Sequence, residues 1–599
     1  MKKLGHRTKL AGAVAAAMLG GSIAGSASAN VSLTVDGFGD AGIVQYYTVK
    51  GEPAWQTFFR MFNNSDYAVA VKVRFREGAN SRETLDFVVW LSPHDSWHFW
   101  TTPDANGSGP GAIPGIRTRD NSCITPGPQF GSPTETFGYV DDDITSGMRY
   151  ANFKTSAITP PYADGTALTA EERVKEGHVE VIGLAAWEQN TPVYTSVSHE
   201  VNANGDSKPS CAGLEDFAFG EPWGGIADDA EVALDVPNVL AMNAYLVRLG
   251  TGQGAGFEPV VLANFAEEED DAQRMLWEQV TDSQKPDLDS GGLYSFVTDV
   301  DNQVIYSDTW DGALPVGGVP REAGRENLAG PNGWQLGTVR GGIDAVSATL
   351  TRTAVVNEWI RRATPDSILQ NTFSQWVVTF PTKNYYVDSF LDPIPTLMPF
   401  DIDNIYPTLD CSVGSGPDAC AGGPNAAPYA PFSENYGQVL AGETRGESCD
   451  NFRMTMWNND EQGVSFTSPT PTFPAKFCHE VNVIEFGESR DLASGIPLGL
   501  DANFPVEISE ELFPPNPNPS LEPGYPKADM GWARLQFWEN PARTEGLIGT
   551  DYAYYGLPVT GFNFLLYQTR PGSASGNAAM IVPHKDERCV EDVGTQCDK

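Results

Sequence analysis

Between Tyr67 and Arg76 the chain alternates strictly. Tyr67, Val69, Val71, Val73 and Phe75 fall on one side, and Ala68, Ala70, Lys72, Arg74 and Arg76 on the other. Side chains of an extended segment point to opposite faces in turn, so the pattern predicts a strand with one face in a core and one toward water. Asn63, Asn64, Ser65 and Asp66 supply turn chemistry ahead of it. Residues 55–62 read as a preceding strand. Leu85, Phe87, Val89 and Leu91 share one face of a following strand. Sequential antiparallel strands of this kind predict an immunoglobulin-like β-sandwich over residues 30–125.

The remainder reads as mainly β, a larger β-rich region with a few short helices. Residues 31–35 and 43–49 look like opening strands. A Gly/Pro loop fills 103–114, and irregular chain continues to about residue 158. Thr169 and Glu172 have capping-box spacing for a short helix. Strands are expected at 178–184, 241–249, 376–380, 385–387, 452–457, 481–486, 532–538 and 556–567. Helices are expected at 265–279 and at 343–362, where Ile343, Val346, Leu350 and Val355 roughly follow one face. Proline-rich 513–526 must be loop. The divisions are a β-rich domain with helical insertions over 126–390, a Pro/Gly/Ala-rich linker or loop over 391–440, and a C-terminal β-rich region over 441–599.

Residues 1–29 read as a secretory signal peptide. Lys2, Lys3, Arg7 and Lys9 precede an Ala/Gly/Leu-rich core, and Ala27-Ser28-Ala29 offers a cleavage site. Asn30 rather than Cys follows, so no lipid attachment is implied. No other apolar run approaches the roughly 18 residues of a membrane helix. The expected location is therefore secreted, extracellular or at the cell surface, with the periplasm as the alternative, and no integral membrane segment. The formal net charge of −40 disfavours nucleic acid and anionic lipid as partners. The acid excess reads as a solvated, self-repelling surface, with divalent-cation binding or life in salty water as the competing reading.

Eight cysteines behind an export signal predict disulfides. Short loops close at least entropic cost, which pairs Cys411 with Cys420, Cys449 with Cys478 and Cys589 with Cys597, leaving Cys123 with Cys211. No C-x-x-C spacing for zinc occurs, and no C-x-x-C-H for covalent haem.

The pieces TFFRMFNNSDYAVAVKVRFRE, LDFVVWLSPHDSW, WVVTFPTKNYYVD and GLPVTGFNF resemble segments of a group of uncharacterised secreted bacterial cell-surface proteins. They are strand motifs scattered from residue 57 to 564. The resemblance implies export and a β-rich surface protein, and it carries no catalytic residue across.

Motifs that hint at chemistry are incomplete. His94 and His98 have the spacing of a zinc helix, but Asp95 stands where that motif has Glu, and in a strand the imidazoles would lie roughly 13 Å apart. The glycine run 250–256 precedes extended chain rather than a helix, which predicts a hairpin instead of a dinucleotide loop. Calcium-loop beginnings at 299–303 and 401–404 lack the later glycine and glutamate. No G-x-S-x-G elbow occurs.

Fourteen tryptophans and twenty tyrosines could stack on sugars or fill cores. Trp97 and Trp100, beside the Gly/Pro loop, are the candidates for glycan contact. The expected function is an exported surface or matrix protein with a structural, adhesive or assembly role and no evident catalytic site. Its partners would be other surface proteins or glycans, including its own copies. The alternatives are a carbohydrate-active enzyme or sugar-binding protein using an aromatic-lined cleft, and a calcium-stabilised adhesin. No cofactor is expected beyond calcium.

Overall fold

A computed structural model describes residues 31–107, 112–125, 137–140, 144–159, 166, 168–199, 208–211, 214, 232–266, 272, 275–276, 278–279, 285–292, 294–298, 304–309, 342–361, 372–387, 431–432, 448–459, 461–467, 477–487, 499–506, 530–537, 547–548, 552–567 and 578–592. The fold is mainly β.

Fourteen strands build the N-terminal part. They are β1 (Ser32–Leu33), β2 (Ala41–Thr48), β3 (Gln56–Asn63), β4 (Ala68–Glu77), β5 (Glu83–Leu91), β6 (Ser96–Thr102) and β7 (Gly115–Thr118). Then come β8 (Cys123–Thr125), β9 (Gly138–Tyr139), β10 (Arg149–Asn152), β11 (Glu176–Trp187), β12 (Leu240–Arg248), β13 (Gln253–Phe257) and β14 (Val260–Ala263). One sheet runs β1-β14-β2-β11-β4-β5-β8 and will be called the inner sheet. The other runs β13-β12-β3-β6-β7-β10-β9 and is the outer sheet. These sheets do not stop at residue 125: β11 lies between β2 and β4, and β12 pairs with β3 along its whole length. Val69, Val71, Val73 and Phe75 of β4 meet Phe59, Met61, Trp97 and Phe99 of the outer sheet in one core. The rings of Phe75 and Phe99 pack edge-to-face at 5.2 Å.

The C-terminal part adds two five-stranded sheets. Their strands, in chain order, begin with β15 (Ala354–Ile360), β16 (Phe373–Thr379), β17 (Arg453–Asn458), β18 (Gly463–Thr467) and β19 (Val481–Phe486). They continue with β20 (Phe504–Val506), β21 (Met530–Gln536), β22 (Thr560–Tyr567), β23 (Ala578–Pro583) and β24 (Lys585–Glu587). The sheets run β18-β17-β21-β15-β24 and β20-β19-β16-β22-β23. The second packs one face on the N-terminal core, through Tyr46 against Phe562 and Trp55 against Phe564. Its other face, with Trp376, Ile484 and Phe486, shares a core with Trp359, Met454 and Leu535 of the first.

Three expectations need correction. Strand β4 is not half-buried: all ten of its residues are buried, Lys72, Arg74 and Arg76 included. Its polar side is covered by the segment around Lys285–Ser290 and by Tyr385. The helix expected over 343–362 ends early, spanning Gly342–Leu350, and the chain then extends into β15. Thr351, Thr353, Val355, Val356 and Ile360 lose side-chain freedom in a helix and suit a pleated surface. The strand expected at 385–387 is a single helical turn, Asn384–Val387. A strand would send Tyr385 and Tyr386 to opposite faces. The turn lets Tyr385 reach Arg76 at 3.1 Å while Tyr386 reaches Asp344 at 2.6 Å and Ser347 at 2.9 Å.

Other local readings hold. Thr169 and Glu172 form the capping box of the helix Ala170–Arg173. The glycine run turns an antiparallel hairpin between β12 and β13. Disulfides join Cys123 to Cys211 and Cys449 to Cys478. Cys589 is also disulfide-bonded. Its expected partner Cys597 lies outside the described residues, as do Cys411, Cys420, both calcium-loop beginnings and most of 265–279 and 391–440.

Candidate functional site

The two faces of the N-terminal sandwich differ in chemistry. On the inner sheet, β4 places Lys72, Arg74 and Arg76 on its polar side. Its neighbours answer with acids: Arg74 stands directly between Asp86 of β5 and Glu180 of β11. Lys72 lies 3.2 Å from Asp86, Arg74 3.1 Å from Glu83, and Arg76 2.8 Å from Glu180. Burial and the neighbouring Asp86 push the Glu83 carboxyl up to about 7. Burial also disfavours the charge on Asp287, yet Lys285, Arg74 and Arg76 hold it down at about 2. At the end of β4, Glu77 accepts two bonds from Arg173, at 3.0 and 2.6 Å, and bonds from the amides of Ala79 and Asn80. Burial opposes its ionisation, but these partners prevail and keep its pKa at about 2. The β4 cations and Glu180 are fully buried while Glu83 and Asp86 reach the rim, and this ionic layer holds the inner sheet against what covers it.

The outer sheet leaves one face toward solvent. Its alternation is the conventional one: Gln56, Phe58, Arg60 and Phe62 of β3 are exposed or half-buried, while Thr57, Phe59, Met61 and Asn63 are buried. The register aligns outward residues into a row across the strands. Gly256 pairs with Tyr245, Tyr245 with Phe58, Phe58 with Trp100, Trp100 with Arg117, Arg117 with Tyr150, and Tyr150 with Gly138. Four strand steps separate Tyr245 from Tyr150, roughly 19 Å at the usual inter-strand spacing. Phe58 and Trp100 stack with centroids 5.9 Å apart and planes 15° from parallel. Glycine at both ends leaves room for the tyrosine rings beside it. A Cβ on Gly256 would stand 3.2 Å from the Tyr245 ring, and one on Gly138 3.1 Å from the Tyr150 ring. Tyr245 is 45% exposed. With Phe58, Val247 and Gly254–Gly256 it borders an open, shallow depression of about 270 Å³.

Charge separates this face from the rest of the chain. The sequence holds 78 acidic and 38 basic residues, yet no outward position on the seven strands of the outer sheet is Asp or Glu. Arg60 is exposed beside the aromatic row, with its guanidinium 5.8 Å from the Phe62 ring centre and no ion-pair partner among the described residues. The Gln56 Oε1 atom is buried and has no hydrogen-bond partner among the described residues.

Of the two tryptophans singled out by sequence, only Trp100 belongs to this row. Trp97 is fully buried, packed on Phe87 and Phe99 in the sandwich core, where no sugar ring can reach it. Strand β6 explains the difference, because odd and even positions point to opposite faces. Tyr245, Phe58 and Tyr150 were missed. The signal available was the β12 alternation ending in a glycine-rich hairpin, but the register that brings these strands together is not written locally.

His94 and His98 do not converge. His94 sits on the turn and bonds Asp66 at 3.0 Å, while His98 pairs with Asp120 at 3.4 Å. Among the described residues, no cluster of three or more His, Cys, Asp or Glu side chains is arranged to hold a metal. One polar chain has the order of a nucleophile, base and orienting group. His199 lies 3.0 Å from Ser92 Oγ through Nδ1 and 2.9 Å from Asn121 Oδ1 through Nε2. The Ser92 hydroxyl is also 3.3 Å from Asp95, whose carboxylate accepts from the Ser92 amide. Ser92 is buried, and Asp95 closes its turn. The cluster therefore clasps the end of β5 to the chain after the helix Pro192–Val197. A second aromatic pair, Trp457 and Trp532, stacks at 3.8 Å on the first C-terminal sheet.

Comparison with known protein families, characterised proteins and solved structures yields no significant match.

Proposed function

We propose that this chain is an exported, disulfide-clamped scaffold that makes contacts outside the cytosol and performs no chemistry of its own. One observation carries the reading: the aromatic outer face of the N-terminal sandwich, whose strand positions carry no Asp or Glu. Tyr, Trp, Phe and Arg with depletion of Lys, Asp and Glu is the composition of recognition surfaces. The layers behind it are rigid. An ionic layer and two aromatic cores fix the inner sheet, and the disulfide between Cys123 and Cys211 ties β8 to a segment 88 residues away. Rigid backing lowers the entropy lost when a surface engages a partner. The signal-like pattern of residues 1–29 and the cysteine usage support that location.

Fractionation of the native cell with non-reducing electrophoresis tests this. The expected result is an oxidised protein held at the cell surface or in the matrix. Retention should fall when Phe58 and Trp100 are both replaced by serine. A reduced, cytosolic protein would overturn the reading.

A further inference from the structure

We propose that the cross-strand row Tyr245–Phe58–Trp100–Tyr150 is the binding site of a glycan chain, laid across the strands with its sugar rings on the aromatic side chains. The inference rests on the reading above that this face makes contacts, and it names the partner.

Three observations select a glycan. The first is shape. The aromatic residues lie along one line of roughly 19 Å rather than in a round patch, which suits an extended polymer more than a compact protein epitope. Stacking needs a ring face, and Tyr245 at the end of the row is the most exposed of them. Gly256 lets that ring lie low beside the open depression.

The second is charge. The strand positions of the face carry no carboxylate, the acids that flank it, Asp104 and Asp120, are engaged by Arg117 and His98, and Arg60 is an exposed cation without an ion-pair partner among the described residues, so a cationic partner finds little to pair with. The charge of the whole chain opposes nucleic acid. At physiological ionic strength charges are screened beyond about 8 Å, so the local groups decide what approaches the row. A neutral or carboxylate-bearing sugar chain fits them.

The third is hydrogen bonding. Sugar hydroxyls need fixed donors and acceptors alongside the stacking surface. Arg60 supplies donors one row from Phe58, and the Gln56 carbonyl oxygen, two residues from Phe58 on the same face, has no partner among the described residues. That oxygen is closed to solvent as it stands, so the hydrogen bonds to a sugar chain on this face come first from the exposed Arg60 guanidinium.

Affinity electrophoresis of the full chain through gels containing mixed-linkage β-glucan, xylan or polygalacturonate tests the proposal. Variants would be Trp100→Ala, Tyr245→Ala, Arg60→Gln and, on the other aromatic pair, Trp532→Ala. Circular dichroism would confirm that each is folded. The expected result is retardation by at least one polymer, weakened tenfold or more by Trp100→Ala and several-fold by Tyr245→Ala and Arg60→Gln, and unchanged by Trp532→Ala. Absence of retardation by all three polymers would overturn the proposal. So would retardation that survives Trp100→Ala, or that falls equally with Trp532→Ala. If surface retention in cells depends on Phe58 and Trp100 while no polymer retards the chain, the glycan assignment fails and the contact reading stands. If neither depends on them, both fail.

Discussion

Strands β3 and β4 are neighbours in sequence and carry the same alternation, yet they do opposite work. Each sends one side chain in two into the same core. The other side of β3 meets solvent, with Phe58, Arg60 and Phe62 half-buried or exposed. The other side of β4 is sealed under a second layer, with Lys72, Arg74 and Arg76 buried. A polar position in an alternating strand therefore carries two different meanings. On the outer sheet it is a surface that can exchange water for a ligand. On the inner sheet it is an ionic layer whose members depend on one another, because a buried charge without its partner is far more costly than an exposed one.

The largest effect should follow from breaking that layer. Arg173→Ala leaves the Glu77 carboxylate buried without its cation and should cost about 3–5 kcal/mol in equilibrium unfolding by urea. Arg60→Ala on the outer face should cost less than about 0.5 kcal/mol. Comparable losses at the two sites would erase the distinction. Replacing Lys72, Arg74, Arg76, Glu83, Asp86 and Glu180 together by apolar residues of similar size sharpens it: the change should then be tolerated far better than any single truncation.

Opening the disulfide between Cys123 and Cys211 comes next. Freeing a loop of this length should destabilise the sandwich by about 2–5 kcal/mol. The check is a paired cysteine-to-serine variant measured beside the oxidised chain.

Acid should reach the inner sheet in a defined window. Glu77 has its folded pKa lowered to about 2, below its ordinary 4.5. Its contribution is complete above pH 4.5 and is lost as pH falls toward 2, amounting to about 3 kcal/mol. His178, lowered to about 3 by burial and the nearby Arg76, is held neutral in the fold. The unfolded chain takes up that proton below about 6.5, so His178 also weakens the fold as pH drops from there toward 3. Stability of Glu77→Gln measured against pH should lack the Glu77 share of the loss between pH 4.5 and 2 and keep the His178 share between 6.5 and 3.

The row itself should matter little to stability. Trp100→Ala removes a half-buried ring and its stack on Phe58, which should cost about 1 kcal/mol. Retention at the surface should nonetheless collapse.

Much of this was legible in the chain, and what was not has a physical cause. Alternation located β3, β4, β5 and β11 because the pleat is a local property. The Thr169 cap was legible because three residues suffice to make it. The disulfide of Cys449 followed from loop closure, and that of Cys123 with Cys211 was the pair left once neighbouring cysteines were joined. The burial of Lys72, Arg74 and Arg76 was not legible, since nothing in β4 itself says that Lys285, Asp287 and Tyr385, some 200 to 300 residues later, come to lie over it. Residue identity held a trace: acids at 83, 86 and 180 sit in strands whose register interleaves them with the cations. The aromatic row shows the same limit. Trp100 stood out alone, but Tyr245 and Tyr150 join it only through the pairing of β12, β3, β6, β7 and β10. Trp97, three positions from the half-buried Trp100, went to the core because parity along β6 decides the face.

The central claim is that binding lives on the outer sheet and stability on the inner one. The most direct test measures both properties on two variants, Trp100→Ala and Arg76→Ala, by urea unfolding and by surface retention per folded molecule. The account predicts that Trp100→Ala loses retention with about 1 kcal/mol of stability, and that Arg76→Ala loses about 3 kcal/mol or more while its folded fraction is retained as before. Retention lost with Arg76→Ala but kept with Trp100→Ala would contradict it.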